Sequence, residues 1–247
     1  MVKTIPRDRG LQLSLLAMVA ALALVALGRS LLQGNSKSPV TTSKLPTTVV
    51  LPGWTLIDVQ PLKLNSDQQD RATLDEAEKP SEIATAQTYR FQRNGTTLEA
   101  NTYYIAPATE GNVNRYVFVY SPLKSVNTSI QERQQPAVGN YGVLAHAGRA
   151  YITACTTNLG PSTFTEQQFT QNRSRQDLRL KPMMLWLIGQ RQDLLDLRCL
   201  WTLMSVPIAG GANASPDAVE QAYQQLESVW VLWHQWWQQH FPPLRPR

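Results

Sequence analysis

Residues Leu13 to Leu27 (LSLLAMVAALALVAL) carry no charge and one polar side chain, Ser14. With Leu11, Gln12 and Gly28 the stretch reaches 18 residues, the short end of what crosses a bilayer as a helix. Lys3, Arg7 and Arg9 precede it, and the first acidic residue after it is Asp58. Basic residues ahead of an apolar segment hold that end in the cytoplasm, so everything beyond it is expected on the far side. A cleaved signal peptide is the rival reading, because Ala26-Leu27-Gly28 fits a small-x-small cleavage site. Both readings export the remainder of the chain.

The expected organisation is therefore a cytoplasmic N-terminus over 1–10, a transmembrane anchor over 11–32, a flexible tether over 33–48 and an extracytoplasmic domain over 49–247. The tether rests on composition, since Gly34 to Thr48 is rich in Ser, Thr, Pro and Lys. The address this implies is the inner (plasma) membrane, single-pass, with the main domain periplasmic. The chain has 247 residues and a formal charge of +5, of which Lys3, Arg7 and Arg9 against Asp8 supply a part before residue 11. No dense Lys/Arg run follows, which argues against nucleic acid as a partner.

Within the domain, Thr88 to Gln92 and Thr97 to Ile105 flank Asn94-Gly95, a strong hairpin signal. Arg115 to Tyr120 (RYVFVY) is β-branched and aromatic and reads as a strand. Gly142 to Cys155 contains an alternating run, with Tyr151, Thr153 and Cys155 on one face. Small residues Ala150 and Ala154 share the other face with Ile152, as a face packed closely on a helix would require. Thr163 with Glu166 fits a capping box opening a helix. Lys181 to Ile188 and Leu194 to Val206 read as an antiparallel hairpin. Ser215-Pro216-Asp217 starts the last helix, whose apolar residues from Val219 to Trp237 recur at three- and four-residue steps. The fold class expected is α+β, a mainly antiparallel sheet packed by helices and preceded by one N-terminal transmembrane helix.

Cys155 and Cys199 lack metal or CxxC spacing. They read as a disulfide, as two buried thiols, or, for Cys155 with His146 as base, as a candidate catalytic pair. His146 lies nine residues upstream, about 30 Å away along a straight strand and nearer if the chain bends at Gly148. Three histidines give no histidine-built metal site, and no cofactor is expected. Arg149, Arg173 and Arg198 are the candidate binding residues. Arg173 belongs to a basic cluster suited to anionic headgroups or an acidic partner. Arg198, in an apolar run, needs a carboxylate if buried, and Asp196 and Asp177 are the candidates. Trp230, Trp233, Trp236 and Trp237 crowd the last helix, as core or as a membrane- or partner-facing surface.

His146-Ala147-Gly148-Arg149-Ala150-Tyr151, Ala154-Cys155, Gly160, Ser162-Thr163 and Thr165 follow one another over a short span. After them come Gln168-Phe169, Asn172-Arg173, Asp177-Leu178, Trp186 to Gln190 and Asp196 to Trp201. In order and spacing these clusters resemble the cyanoexosortase A system-associated proteins, over residues 50–208. The resemblance implies a cyanobacterial, membrane-anchored accessory protein beside an exosortase, acting through contact with that enzyme or the proteins it sorts. Exosortases are membrane-embedded, transpeptidase-like enzymes acting on C-terminal sorting signals, often in systems tied to exopolysaccharide. The resemblance carries over no catalytic residue, and the chain is expected not to be an enzyme. The alternatives are a binding domain for a glycan or lipid intermediate, expected to show an aromatic-lined concavity, and a Cys155-dependent transferase or hydrolase.

Overall fold

The computed structural model describes residues 44–62, 83–108, 110–123, 129–158, 160–177 and 196–242, together with Met18, Ala20 and Leu24. The chain divides into two units, 1–39 and 40–247. In the first, Met18, Ala20 and Leu24 are helical and exposed. Most of the expected anchor and tether lies outside the described residues, among which no helix is long and apolar enough to cross a membrane.

The second unit is α+β, built on a seven-stranded antiparallel sheet among the described residues. Its strands are β1 (Thr55–Pro61), β2 (Ile83–Arg93), β3 (Thr96–Ile105), β4 (Gln131–Gln135), β5 (Gly139–His146), β6 (Arg149–Thr156) and β7 (Cys199–Pro207). The helices are α1 (Val113–Tyr120), α2 (Glu166–Asp177) and α3 (Pro216–His240). The spatial order is β1-β2-β3-β7-β6-β5-β4. Two meanders, β1–β3 and β4–β6, are thus joined by the last strand, which enters between them.

Asn94 and Gly95 both take positive φ, 49° and 78°, and close the β2–β3 hairpin with Arg93 opposite Thr96. Two left-handed residues give a turn whose twist matches the strands. The run from Gly142 to Cys155 is itself a hairpin rather than one strand. It reverses at Ala147-Gly148, both at positive φ, and His146 pairs with Arg149. A Cβ on Gly148 would lie 2.8 Å from the Gly211 carbonyl carbon, so glycine is required there on two counts.

Even-numbered residues of β3, β6 and β7 (Leu98, Ala100, Ala150, Ile152, Ala154, Leu200, Met204) face α3, together with Tyr89 and Phe91 of β2. The small residues of β6 let α3 lie close. Its Ala222, Tyr223, Leu226, Val229, Trp230, Trp233 and Trp237 are buried. Ser215 caps α3 by accepting from the Ala218 N–H, and Pro216 opens it. The four tryptophans of α3 divide: Trp230, Trp233 and Trp237 are core, while Trp236 is half-buried and stacks on His240 at 4.1 Å. Leu45 is already buried and the Pro46 carbonyl accepts from the Tyr89 hydroxyl, so the core begins ahead of Val49.

Three local expectations are corrected. Residues 115–120 are helical, within α1, although their composition favours a strand. Asn112 caps the helix by accepting from the Arg115 N–H, and Tyr116 packs 5.7 Å from Trp201. Tertiary burial overrides weak propensity in so short a segment. The capping box of α2 is Thr165 with Gln168, not Thr163 with Glu166. The Gln168 N–H donates to Thr165 Oγ1 while Gln168 Oε1 accepts from the Thr165 N–H. Thr163 instead exchanges backbone hydrogen bonds with Cys155. Finally, β7 has β3 on one edge and β6 on the other, so the expected hairpin with 181–188 has no free edge to use. Residues 181–188 themselves lie outside the described residues.

Candidate functional site

The face opposite α3 has two ends. At one, Tyr103, Ile105, Cys155, Cys199 and Trp201 are covered by Val113, Tyr116 and Val117 of α1 and by Phe164 and Phe169. Here Cys155 and Cys199 form a disulfide with a Cα–Cα distance of 5.6 Å, and both are fully buried. Cys155 pairs with Trp201, two residues along β7 from Cys199, so the β6–β7 register itself brings the sulfurs together across a diagonal. The Cys155–His146 catalytic reading is overturned on two grounds. The bonded sulfur offers no thiolate, and His146 sits opposite Arg149, six residues or about 20 Å from Cys155 along the ladder.

The three candidate arginines do not converge. Arg198 is 6% exposed and is held by Asp196 through two contacts of 2.6 Å. It also donates to the Pro242 carbonyl and lies over the Phe241 ring at 5.0 Å. It thereby ties the entry to β7 to the end of α3, a structural role in which Asp196 supplies the required carboxylate. Arg173 is half-buried on α2, whose Asn172 anchors the helix by donating to Thr157 Oγ1 and the Pro161 carbonyl. Arg149 lies opposite Pro207, at the far end of β7 from Arg198.

Around Arg149 the second face is polar and open. Register places Asp58, Arg90, Glu99, Ser205 and Tyr151 side by side on β1, β2, β3, β7 and β6. Arg90 bridges Asp58 and Glu99, each at 3.2 Å. Arg149 donates to Ser205 Oγ at 2.9 Å. Thr88 donates to Asn101 Oδ1 at 2.7 Å in the next row. Burial and Glu99 push the Tyr151 hydroxyl upward, while the Arg149 guanidinium pulls it back. A concavity of about 250 Å³ opens here, lined by Glu99, Asn101, Pro122, Leu123, Arg149, Tyr151, Leu203 and Ser205. Arg149 is the one residue of this group nominated from sequence. Glu99 and Asn101 were detectable as polar residues at alternate positions in the predicted Thr97–Ile105 strand. Ser205 carries no local signal.

Elsewhere, charge ties α3 to the β4 edge. Arg133 binds Glu220 at 2.7 Å and Glu227 at 3.1 Å, and the Tyr141 hydroxyl donates to Glu227. The Arg133 guanidinium holds the Glu220 carboxyl below its ordinary range. Among the described residues no group of three or more His, Cys, Asp or Glu is placed to hold a metal ion.

His234 is 5% exposed on α3 and its Nδ1 has no hydrogen-bond partner among the described residues; burial pushes it down from 6.5 to about 4. A neutral imidazole in the fold and an ordinary one in the unfolded chain mean that unfolding takes up a proton between those values. Stability is therefore complete above about pH 6.5 and falls as pH drops toward 4, by roughly 3 kcal/mol. In denaturant titrations across this range, His234→Leu is expected to remove most of that slope.

No family model, no curated protein and no solved structure matches this chain.

Proposed function

We propose that the chain is a membrane-tethered, non-catalytic accessory protein of an exosortase sorting system, held by an anchor at 11–32 with its α+β domain outside the cytoplasm. The observation that carries the reading is the buried Cys155–Cys199 disulfide. Structural disulfides persist in oxidising compartments and are rare in the cytosol. This accords with the direction set by Lys3, Arg7 and Arg9 ahead of the apolar stretch. An anchor confines the domain near the bilayer and raises its effective concentration for a membrane partner without any new contact. The closed disulfide also leaves Cys155 without the nucleophile that a transferase or hydrolase would need.

The test is co-purification. Tagged full-length chain, extracted in mild detergent from cells carrying the sorting system, is expected to bring down the exosortase or one of its sorted substrates. Recovery with neither, under conditions that preserve other complexes of that membrane, contradicts the proposal.

A further inference from the structure

The open polar end of the second face has a geometry that the tethering role does not use. Glu99 and Ser205 are direct cross-strand partners, with side chains about 5 Å apart. Arg149 rests its guanidinium on Ser205 from the other side, at 2.9 Å and 3.3 Å. A carboxylate and a guanidinium thus flank one hydroxyl, and among the described residues no ion pair joins Glu99 to Arg149. Glu99 is occupied on its outer side by Arg90, and Asn101 donates to it at 3.4 Å. The ions of the row, Asp58, Arg90 and Glu99, together with Arg149 two residues along β6 from Tyr151, sum to zero charge.

We infer that this concavity binds a neutral glycosyl unit, with Glu99 and Arg149 gripping adjacent hydroxyls. A group seated between a carboxylate and a guanidinium must donate to one and accept from the other, and vicinal hydroxyls do both at that separation. A balanced row exerts no net pull on an ion, which disfavours phosphates and polyanions. Tyr151 is the one aromatic among the lining residues, so the concavity lacks the aromatic lining expected from sequence, and Leu203, Leu123 and Pro122 supply the apolar wall for the C–H face of a ring. The volume of about 250 Å³ lies below the range of drug-sized pockets, so it takes a single sugar ring rather than a long chain. A peptide unit also donates and accepts. An extended peptide, however, would pair along a strand edge, whereas these side chains stand on the sheet face between β3, β7 and β6.

The test is saturation-transfer NMR on the full chain, purified in a detergent without a sugar headgroup. The probes are a set of neutral methyl hexopyranosides, with an acetylated dipeptide amide as the peptide arm. A hexopyranoside is expected to bind with Kd on the order of 1–10 mM. Arg149→Ala is expected to weaken it at least tenfold, and Arg133→Ala, on the α3 side of the sheet, to leave it unchanged. Asn101→Leu, at a half-buried position, is the second variant, expected to lose affinity severalfold and decisive should Arg149→Ala fail to fold. Failure of every hexopyranoside to bind, undiminished affinity in a folded variant, or preference for the dipeptide amide overturns the inference.

Discussion

Trp233→Ala is expected to destabilise the folded domain by about 3–5 kcal/mol, the range for emptying a fully buried tryptophan site. The indole is wholly buried between α3 and the sheet. It meets Tyr89 at 5.6 Å, Phe91 at 6.4 Å and Trp237 at 5.7 Å, all edge-on. Its Nε1–H donates to Thr202 Oγ1, so truncation leaves both a cavity and a buried hydroxyl without that donor. In a domain of this size the melting temperature is expected to fall by about 10 °C or more. Trp236→Ala, on the half-buried side of the same helix, is expected to cost about 1 kcal/mol, because its ring stacks on exposed His240. Thermal unfolding followed by circular dichroism distinguishes them. Equal losses at both positions would mean that α3 presents a different face to the sheet.

Removing the Cys155–Cys199 bond should cost nearly as much. The two residues lie 44 apart in sequence, and a cross-link closing a loop of that length restricts the unfolded chain by about 4 kcal/mol. A Cys155→Ala/Cys199→Ala double variant, which avoids burying new hydroxyls, is expected to melt about 8–16 °C lower. Both sulfurs are fully buried, so reductant and alkylating reagent applied to the folded protein should label neither cysteine. After denaturation under reducing conditions, mass spectrometry should find both labelled. Labelling of Cys155 in the native, unreduced protein would contradict the closed bond.

How legible the fold was depended on the range of the forces involved. Asn94-Gly95 announces its hairpin because both residues tolerate positive φ. The last helix announces itself through Ser215, Pro216 and its apolar stripe, and the small residues of β6 foretell the helix that covers them. Where two local solutions competed, tertiary contacts chose. Thr163 and Thr165 both precede a Glu or Gln by three residues, and the backbone bridge to Cys155 claims Thr163, leaving Thr165 to cap α2. Residues 115–120 have strand composition, and a cap at Asn112 with burial against Trp201 makes them helical. At Ala147-Gly148 the glycine offers a bend, but the full reversal also needs an alanine at positive φ, a conformation that composition does not advertise.

The polar site was the least legible part, for a topological reason. Glu99, Ser205 and Tyr151 become neighbours because β7 enters between β3 and β6, and nothing near residue 205 records that insertion. Arg198 shows the opposite case. An arginine in an apolar run with Asp196 two residues away is a local signal, and it marks an internal brace rather than a binding residue.

The claim on which the account most depends is that residues beyond the apolar stretch lie across a bilayer from Lys3, Arg7 and Arg9. A paired reporter fused after Arg247 reads this directly, with a phosphatase that is active only outside the cytoplasm and a fluorescent protein that matures only inside it. The account predicts an active phosphatase and a dark fluorescent fusion. A bright fluorescent fusion with an inactive phosphatase would put the domain in the cytoplasm and remove the basis for the proposed membrane-tethered accessory role.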